Sequence, residues 1–158
     1  MKPDIGINEK QLKKVITSLE TVLSNEMTLY VKTRKAHWNI TGESFMELHR
    51  LFEEHYKLLE SAIDEIAERI GKLGAKTIGT MSEFTKLTSL KEHPGKYNSS
   101  NDMLKELLKD HETVIKALRD DVMECQDKHN DAGTADFLTG LMEEHETIAW
   151  ILRRYLNS

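Results

Sequence analysis

Only two prolines interrupt this chain of 158 residues, Pro3 near the start and Pro94 in the middle. Because proline breaks the interior of a helix, two long stretches remain in which a helix can run without a forced stop. Both stretches carry apolar residues at spacings of three and four, the period of one helix face. Charged residues make up 31% of the chain, which suits the exposed faces of amphipathic helices. The sequence therefore predicts an all-α fold.

The helical period predicts four long helices, over about residues 9–37, 44–73, 101–126 and 134–156. Asn8 precedes the first as an N-cap candidate. Residues 75–100 contain Gly79, Pro94 and Gly95 and predict a long crossover with a short helix near 82–87. Short first and last connections with one long crossover are typical of the ferritin-like four-helix bundle. We expect residues 1–158 to form a single domain around one core.

Composition excludes several classes of protein. Cys125 is the only cysteine, so no internal disulfide can form, and a reducing compartment is favoured. No apolar run approaches the roughly 18–20 residues that span a bilayer, and the first residues lack the apolar segment of a signal peptide. We therefore expect a cytoplasmic protein without a membrane span. The 22 basic and 27 acidic residues give a net charge of −5, which disfavours non-specific binding to nucleic acid.

The second predicted helix carries an unusual polar face beside its apolar stripe. On a helical wheel with His49 at zero, Glu53, Asp64 and Glu68 fall at about 40°, 60° and 100°. Two pairs at i,i+4 result, His49 with Glu53 and Asp64 with Glu68. Two carboxylates at that spacing repel each other unless a cation lies between them. Imidazole with carboxylate is a ligand set for iron, manganese or zinc.

The two pairs lie too far apart along the helix to share one ion. Glu53 and Asp64 are separated by about 16 Å of helix, whereas metal–ligand bonds are about 2 Å long. A second copy of the helix, antiparallel across a two-fold axis, would bring His49 and Glu53 of one chain to Asp64 and Glu68 of the other. Such a dimer would contain two sites.

His37 is a further candidate ligand. It lies inside the apolar stripe of the first helix near its end, from where it could reach the polar flank of the second helix. The alternative is a hydrogen-bonded buried histidine, with His49, Glu53, Asp64 and Glu68 forming a solvated face. A chain this rich in charge produces many acid pairs by chance, so spacing alone leaves both interpretations open.

None of the histidines has Glu or Asp three residues earlier. The seven histidines are His37, His49, His55, His93, His111, His129 and His145. The Glu-x-x-His pairs of ordinary di-iron bundles are therefore absent, and we expect no di-iron centre of that type inside one chain.

The chain resembles the Dps family, the mini-ferritins also known as DNA-binding proteins from starved cells, over essentially its whole length. The resemblance is carried by His37-Trp38-Asn39-Ile40, Gly42, Phe45, Leu48-His49, Phe52-Glu53, Asp64-Glu65-Ile66-Ala67-Glu68-Arg69-Ile70, Thr134-Ala135-Asp136-Phe137-Leu138 and His145-Glu146-Thr147-Ile148-Ala149-Trp150-Ile151-Leu152. It implies ferroxidase ligands shared across two-fold dimers, at His37, His49, Glu53, Asp64 and Glu68. Position 53 is Asp in many members, and Glu keeps the carboxylate.

The resemblance also implies an activity and an assembly. We expect a homo-dodecameric shell with a hollow interior, built from two-fold dimers. Fe(II) would be oxidised to Fe(III), preferably by hydrogen peroxide, and stored inside as ferric mineral, which protects the cell from oxidative damage. Zinc is the competitor we consider at the iron site. Trp38 resembles the sacrificial electron donor of the family, with simple packing as its alternative role.

Members of the family line three-fold pores with Asp side chains. Asp127 and Asp136 match pore positions, whereas the middle position falls on Ala132, and Asp131 is shifted by one. We expect these aspartates to attract Fe(II). The alternative for Asp136 is a carboxylate that stabilises the start of the last helix through the helix dipole.

The resemblance also suggests a role in binding DNA. Members that condense DNA usually carry a Lys-rich tail, whereas Lys2 is the only lysine among residues 1–8. Twelve chains at −5 each would carry about −60 and repel DNA. We therefore expect no DNA binding at neutral pH; the alternative function is a DNA-compacting nucleoid protein with a secondary metal site.

Overall fold

The computed structural model describes residues 3–156, and this range contains five α-helices and no strand. The helices are α1 (Glu9–Asn39), α2 (Phe45–Lys72), α3 (Met81–Leu87), α4 (Ser100–Asp127) and α5 (Ala132–Leu156). The predicted all-α bundle with a short helix in its long crossover is confirmed. The ends of the four long helices lie within two residues of the predicted ends.

Side-chain caps fix where three of the four long helices, α1, α4 and α5, begin. Asn8 Oδ1 accepts a hydrogen bond of 3.0 Å from the amide of Gln11, whose side chain accepts in return from the Asn8 amide. The hydroxyl of Ser99 caps α4. Asp131 caps α5 by accepting a 2.8 Å hydrogen bond from the amide of Thr134. Each cap satisfies amides that the first turn leaves without partners, so each of these helices begins at a defined residue.

The bundle consists of two helix pairs around one apolar core. α1 packs along α2, α4 packs along α5, and the pairs meet chiefly through α1 and α4, while α3 covers α1. Each long helix contributes fully buried apolar side chains, such as Leu19, Phe52, Leu118 and Leu138. Burying one such side chain stabilises the fold by about 1.5–3 kcal/mol. Within residues 3–156, no helix has the combination of length and apolar character that crossing a membrane requires.

Cys125 lies in this core with 1% of its surface exposed. Burial, reinforced by the nearby carboxylates of Asp121 and Asp131, raises the pKa of its thiol to about 12. A thiol that stays protonated is a poor nucleophile and a poor metal ligand. Cys125 therefore serves as a small apolar filler.

Candidate metal centre

The connection between α1 and α2 brings His37 and His49 into contact. Their rings stack with centroids 3.7 Å apart and planes inclined by 21°. His37 Nδ1 lies 2.7 Å from the carbonyl oxygen of His49, and His49 Nδ1 lies 2.9 Å from the carbonyl oxygen of His37. Because a carbonyl oxygen can only accept, both Nδ1 atoms carry a proton and donate it. In the neutral rings, Nε2 is then left with a free lone pair.

The surroundings hold these two rings in place. The edge of Tyr56 lies against His37 with centroids 5.3 Å apart, and Phe45 lies 5.2 Å from His49. His37 is buried and His49 is half-buried. Among residues 3–156, Nε2 of neither histidine has a hydrogen-bond partner. Metal-binding histidines usually donate one ring N–H to a carbonyl or carboxylate, which orients the ring and leaves the other nitrogen available to the metal.

Glu53 lies one helical turn after His49 and is half-buried. Lys57 Nζ lies 2.6 Å from its Oε1. The hydrogen bond and positive charge of Lys57 lower the pKa of Glu53, and interactions with His37 and His49 lower it further. The carboxylate is therefore ionised at neutral pH and available to a cation that displaces Lys57.

Asp64 and Glu68 lie on the exposed surface of α2 beyond this group. Lys72 Nζ is 3.2 Å from Glu68 Oε2. An open depression of about 580 Å³ runs along α2 beside Asp64. Its lining residues are Lys57, Glu60, Ser61, Ile63, Asp64 and Ala67.

One chain does not assemble the predicted ligand set. The structure brings His37 to His49, with Glu53 one turn away, but Asp64 lies about 16 Å further along α2 than Glu53. In the side-chain conformations present, no group of three or more His, Cys, Asp or Glu side chains within residues 3–156 is arranged to hold one ion. The five-ligand set thus remains a prediction.

Trp38 projects from the end of α1 with 64% of its surface exposed. It does not pack in the core of its own chain. The guanidinium carbon of Arg34 lies 5.1 Å from the Trp38 ring and 4.3 Å from the Tyr56 ring. Tyr56 in turn contacts His37. A continuous series of aromatic and guanidinium contacts therefore links Trp38 to the histidine pair.

The three predicted pore aspartates have different environments. Asp127 and Asp136 are exposed. Asp136 borders a groove of about 330 Å³ between α2 and α5, together with Glu65 and Glu144.

Asp131 has 2% of its surface exposed, and its carboxylate serves the fold. It accepts hydrogen bonds from the amide and hydroxyl of Thr134, and Arg69 Nη2 lies 3.1 Å from its Oδ1. The pore role of Asp131 stays a prediction. Because this carboxylate is fully engaged inside its own chain, we propose the pore role only for Asp127 and Asp136.

A second polar cluster, which was not predicted from the sequence, lies deep in the bundle. Glu26, His55, His111 and His145 are buried, one on each long helix. A signal for them exists, since each occupies a core position in the helical period of its own helix. Residue spacing along one helix reveals only ligands of that helix, so it does not reveal a group assembled from four helices.

Comparison with known proteins agrees with the fold. A family profile described as "Ferritin-like domain" matches residues 16–158. An uncharacterized low temperature-induced protein of Nostoc sp. is 48% identical over 153 residues, covering 97% of this chain and 86% of that protein. The DNA protection during starvation protein 2 of Bacillus anthracis is 35% identical over 145 residues, covering 92% of this chain and 98% of that protein.

A solved structure gives the same picture. The Dps protein from Vibrio cholerae O1, a member of a broad superfamily of ferritin-like diiron-carboxylate proteins, superposes with a TM-score of 0.91 at 32% identity. The match covers 98% of this chain and 96% of that one. The chain therefore belongs to the ferritin-like domain family and, within it, to the Dps proteins.

Proposed function

We propose that the protein is a ferroxidase of the Dps type, which oxidises Fe(II) to Fe(III), preferably with hydrogen peroxide, and stores the ferric product inside a homo-dodecameric shell. Family membership supports a role in iron storage or DNA protection. The observation that carries the finer proposal is the reciprocal pairing of His37 and His49, in which each Nδ1 donates to the other residue's carbonyl oxygen. This pairing leaves two imidazole nitrogens bare and fixed in orientation.

Fe(II) is the substrate of this centre. The Nε2 atoms of His37 and His49 would bind it, and Glu53 would supply negative charge once Lys57 is displaced. Imidazole and carboxylate ligands suit iron, and carboxylates favour the ferric state. Asp64 and Glu68 of a second copy would complete the ligand set.

The sequence positions support an antiparallel dimer of α2. His49 and Glu68 lie equally far from the middle of α2, between Leu58 and Leu59, and so do Glu53 and Asp64. A two-fold axis at that point would place the two half-sets opposite each other. The open depression beside Asp64 begins at Lys57, near the same point, and offers room for a second helix.

The overall reaction balances with two Fe(II) ions at each site. Two Fe(II) supply two electrons to one hydrogen peroxide, and two protons are taken up, so that two Fe(III) and two waters form. Because both electrons are delivered together, hydroxyl radical is not released. Trp38, linked to His37 through Arg34 and Tyr56, would supply an electron when only one iron is present.

Asp127 and Asp136 would help Fe(II) reach the interior. Both carboxylates are exposed, and Asp136 shares its groove with Glu65 and Glu144. Clustered negative charge raises the local concentration of a divalent cation. Zinc would compete for the same ligands.

The names of the relatives also favour protection of DNA. The net charge of −5 per chain opposes direct binding to the phosphate backbone. We therefore propose that this protein protects DNA by consuming Fe(II) and peroxide. A gel-shift experiment with plasmid at low salt tests this point, and a retarded plasmid would favour the DNA-compacting function instead.

Kinetics of Fe(II) oxidation by peroxide test the proposed centre. We expect His49→Ala and Asp64→Ala each to slow the reaction about tenfold to 100-fold, in line with the loss of metal-site groups. Glu54→Gln is the matched control, because Glu54 is exposed on α2 outside the ligand set. Gel filtration checks that all three variants assemble. Wild-type rates in assembled His49→Ala or Asp64→Ala would refute the proposal.

A further inference from the structure

Each of the four long helices places one ionisable side chain in the middle of the bundle. Glu26 comes from α1, His55 from α2, His111 from α4 and His145 from α5. Their exposed fractions are 0%, 3%, 1% and 1%. Three imidazoles and a carboxylate are costly in an apolar core unless they are satisfied by one another or by a ligand.

The four side chains form a continuous string. His145 Nε2 lies 2.9 Å from Glu26 Oε1. On the other side of the same ring, His145 Nδ1 lies 2.8 Å from His111 Nδ1. The ring of His55 stands roughly perpendicular to that of His111, with centroids 6.5 Å apart.

The string is incomplete as a hydrogen-bond network. Both ring nitrogens of His55 and both oxygens of Glu26 are buried without a well-formed hydrogen bond. Buried polar atoms in native proteins nearly always have a partner, so orphaned atoms point to a water or an ion at the site. The His111–His145 contact is a hydrogen bond in which one Nδ1 carries the proton that lies between the two nitrogens, and a metal ion bound there would replace that proton.

We propose that His55, His111 and His145 form a mononuclear binding site for a divalent transition-metal ion in the core of the bundle, with Glu26 behind His145. The 2.8 Å separation lets both Nδ1 atoms lie about 2.0–2.1 Å from a common point, the usual metal–imidazole distance. Only these two nitrogens converge as the side chains stand. His55, whose nitrogens have no partner, is the third ligand after rotation of its side chain toward His111.

Glu26 is placed to orient the ring of His145 through its carboxylate. Its oxygen beside Nε2 of His145 favours the proton on that nitrogen and leaves Nδ1 bare for the metal, the carboxylate–histidine–metal arrangement. Burial and the neighbouring histidines hold the pKa of His111 well below its ordinary value, so its ring is in the neutral form that binds metals.

This site differs from the centre on α2 and from ordinary di-iron bundles. Di-iron sites of that type use four carboxylates and two histidines, whereas this set has three imidazoles and one carboxylate. The ligands come from both helix pairs, so the ion would tie α1 and α2 to α4 and α5. Its existence does not depend on the proposed ferroxidase function.

Cobalt retention tests the site, because Co²⁺ absorbs visible light when bound by nitrogen ligands. The full chain carrying H37A and H49A, which removes the two histidines of the proposed iron centre, is produced in medium containing Co²⁺ and then washed with EDTA. In a second arm, metal-free protein is incubated with Co²⁺ before the wash. We expect about one cobalt per chain to resist EDTA, since the ligands are buried.

Substitutions in the same background locate the ion. We expect H111Q and H145Q each to lower the retained cobalt at least tenfold, whereas H129Q, a histidine outside both clusters, retains it. An anomalous difference map of the background protein at the cobalt edge checks the location without these substitutions, with a peak expected between His111 and His145. No retained cobalt in either arm, unchanged cobalt in folded H111Q and H145Q, or a water without anomalous signal at that position would overturn the proposal.

Discussion

The polar face of α2 and the cluster in the core use the same residue types in opposite ways. His37 of α1 and His49 of α2 pair near the surface with Glu53 one turn away, and Asp64 and Glu68 lie too far away to join them within one chain. In the core, Glu26 and three histidines come from four different helices and are sealed from solvent. A surface half-site completed by a second copy suits a substrate that arrives and leaves, whereas a sealed site suits an ion that stays.

The two regions also differ in what holds their imidazoles. Backbone carbonyls orient His37 and His49, so their orientation depends on the loop between α1 and α2. In the core, one side chain orients the next, from Glu26 to His145 to His111. Loss of one member should therefore damage the core far more than the surface.

The largest expected effect is on stability. Glu26→Ala removes the carboxylate beside His145 and opens a cavity, and we expect it to lower the free energy of unfolding by about 2–4 kcal/mol. Glu53→Ala, at the surface, should lower the free energy of unfolding far less, because it loses only an exposed ion pair with Lys57, while slowing Fe(II) oxidation. Urea denaturation of both variants measures the difference. Equal destabilisation would remove the distinction between the two regions.

The aspartates at the start of α5 make a second, smaller contrast. Asp131→Ala deletes the cap of α5 and the partner of Arg69, and we expect it to destabilise the protein by about 1–3 kcal/mol. Thermal unfolding measures this loss. An unchanged unfolding temperature would show that the cap contributes nothing.

The exposed Asp136 should behave in the opposite way. Asp136→Asn removes one negative charge from each subunit at the groove, so we expect Fe(II) uptake to slow by a few fold while assembly and unfolding temperature stay unchanged. Stopped-flow measurement of uptake at low salt checks this. Wild-type uptake would contradict the pore assignment of Asp136.

The smallest expected effect concerns Lys57. Because Lys57 lowers the pKa of Glu53 below its ordinary value of 4.5, Lys57→Met should let that pKa rise back toward 4.5, as measured by NMR titration of the metal-free protein. The ion pair contributes to stability above the ordinary pKa of Glu53 and is lost as pH falls through the lowered value. Freed from Lys57, Glu53 should also bind Fe(II) up to about fivefold more tightly. Weaker Fe(II) binding would contradict the competition we propose.

Much of the fold could be predicted because its signals are local. Helical periods, the Asn8 cap and Pro94 placed the helices and the crossover. The proximity of His37 to the second helix was predicted as well. The exchange of Nδ1–H donors and carbonyl acceptors was not, since it depends on side-chain rotamers and on the path of the loop.

The core cluster could not be recognised from spacing along one helix. His111 lies among Leu107, Val114 and Leu118, and the period marks it as a core position. Sequence shows such a histidine as buried but does not show which residues of other helices face it. Only the packing of α1, α2, α4 and α5 brings Glu26, His55, His111 and His145 together.

Co-assembly of two inactive variants tests the central claim, that each iron site takes ligands from two chains. H49A and D64A chains are mixed one to one, dissociated and reassembled, and peroxide-dependent Fe(II) oxidation is measured. In a mixed dimer one site loses both residues and the other keeps both. With random pairing we therefore expect about a quarter of wild-type activity. Assembled mixtures that stay as inactive as the separate variants would contradict a shared site.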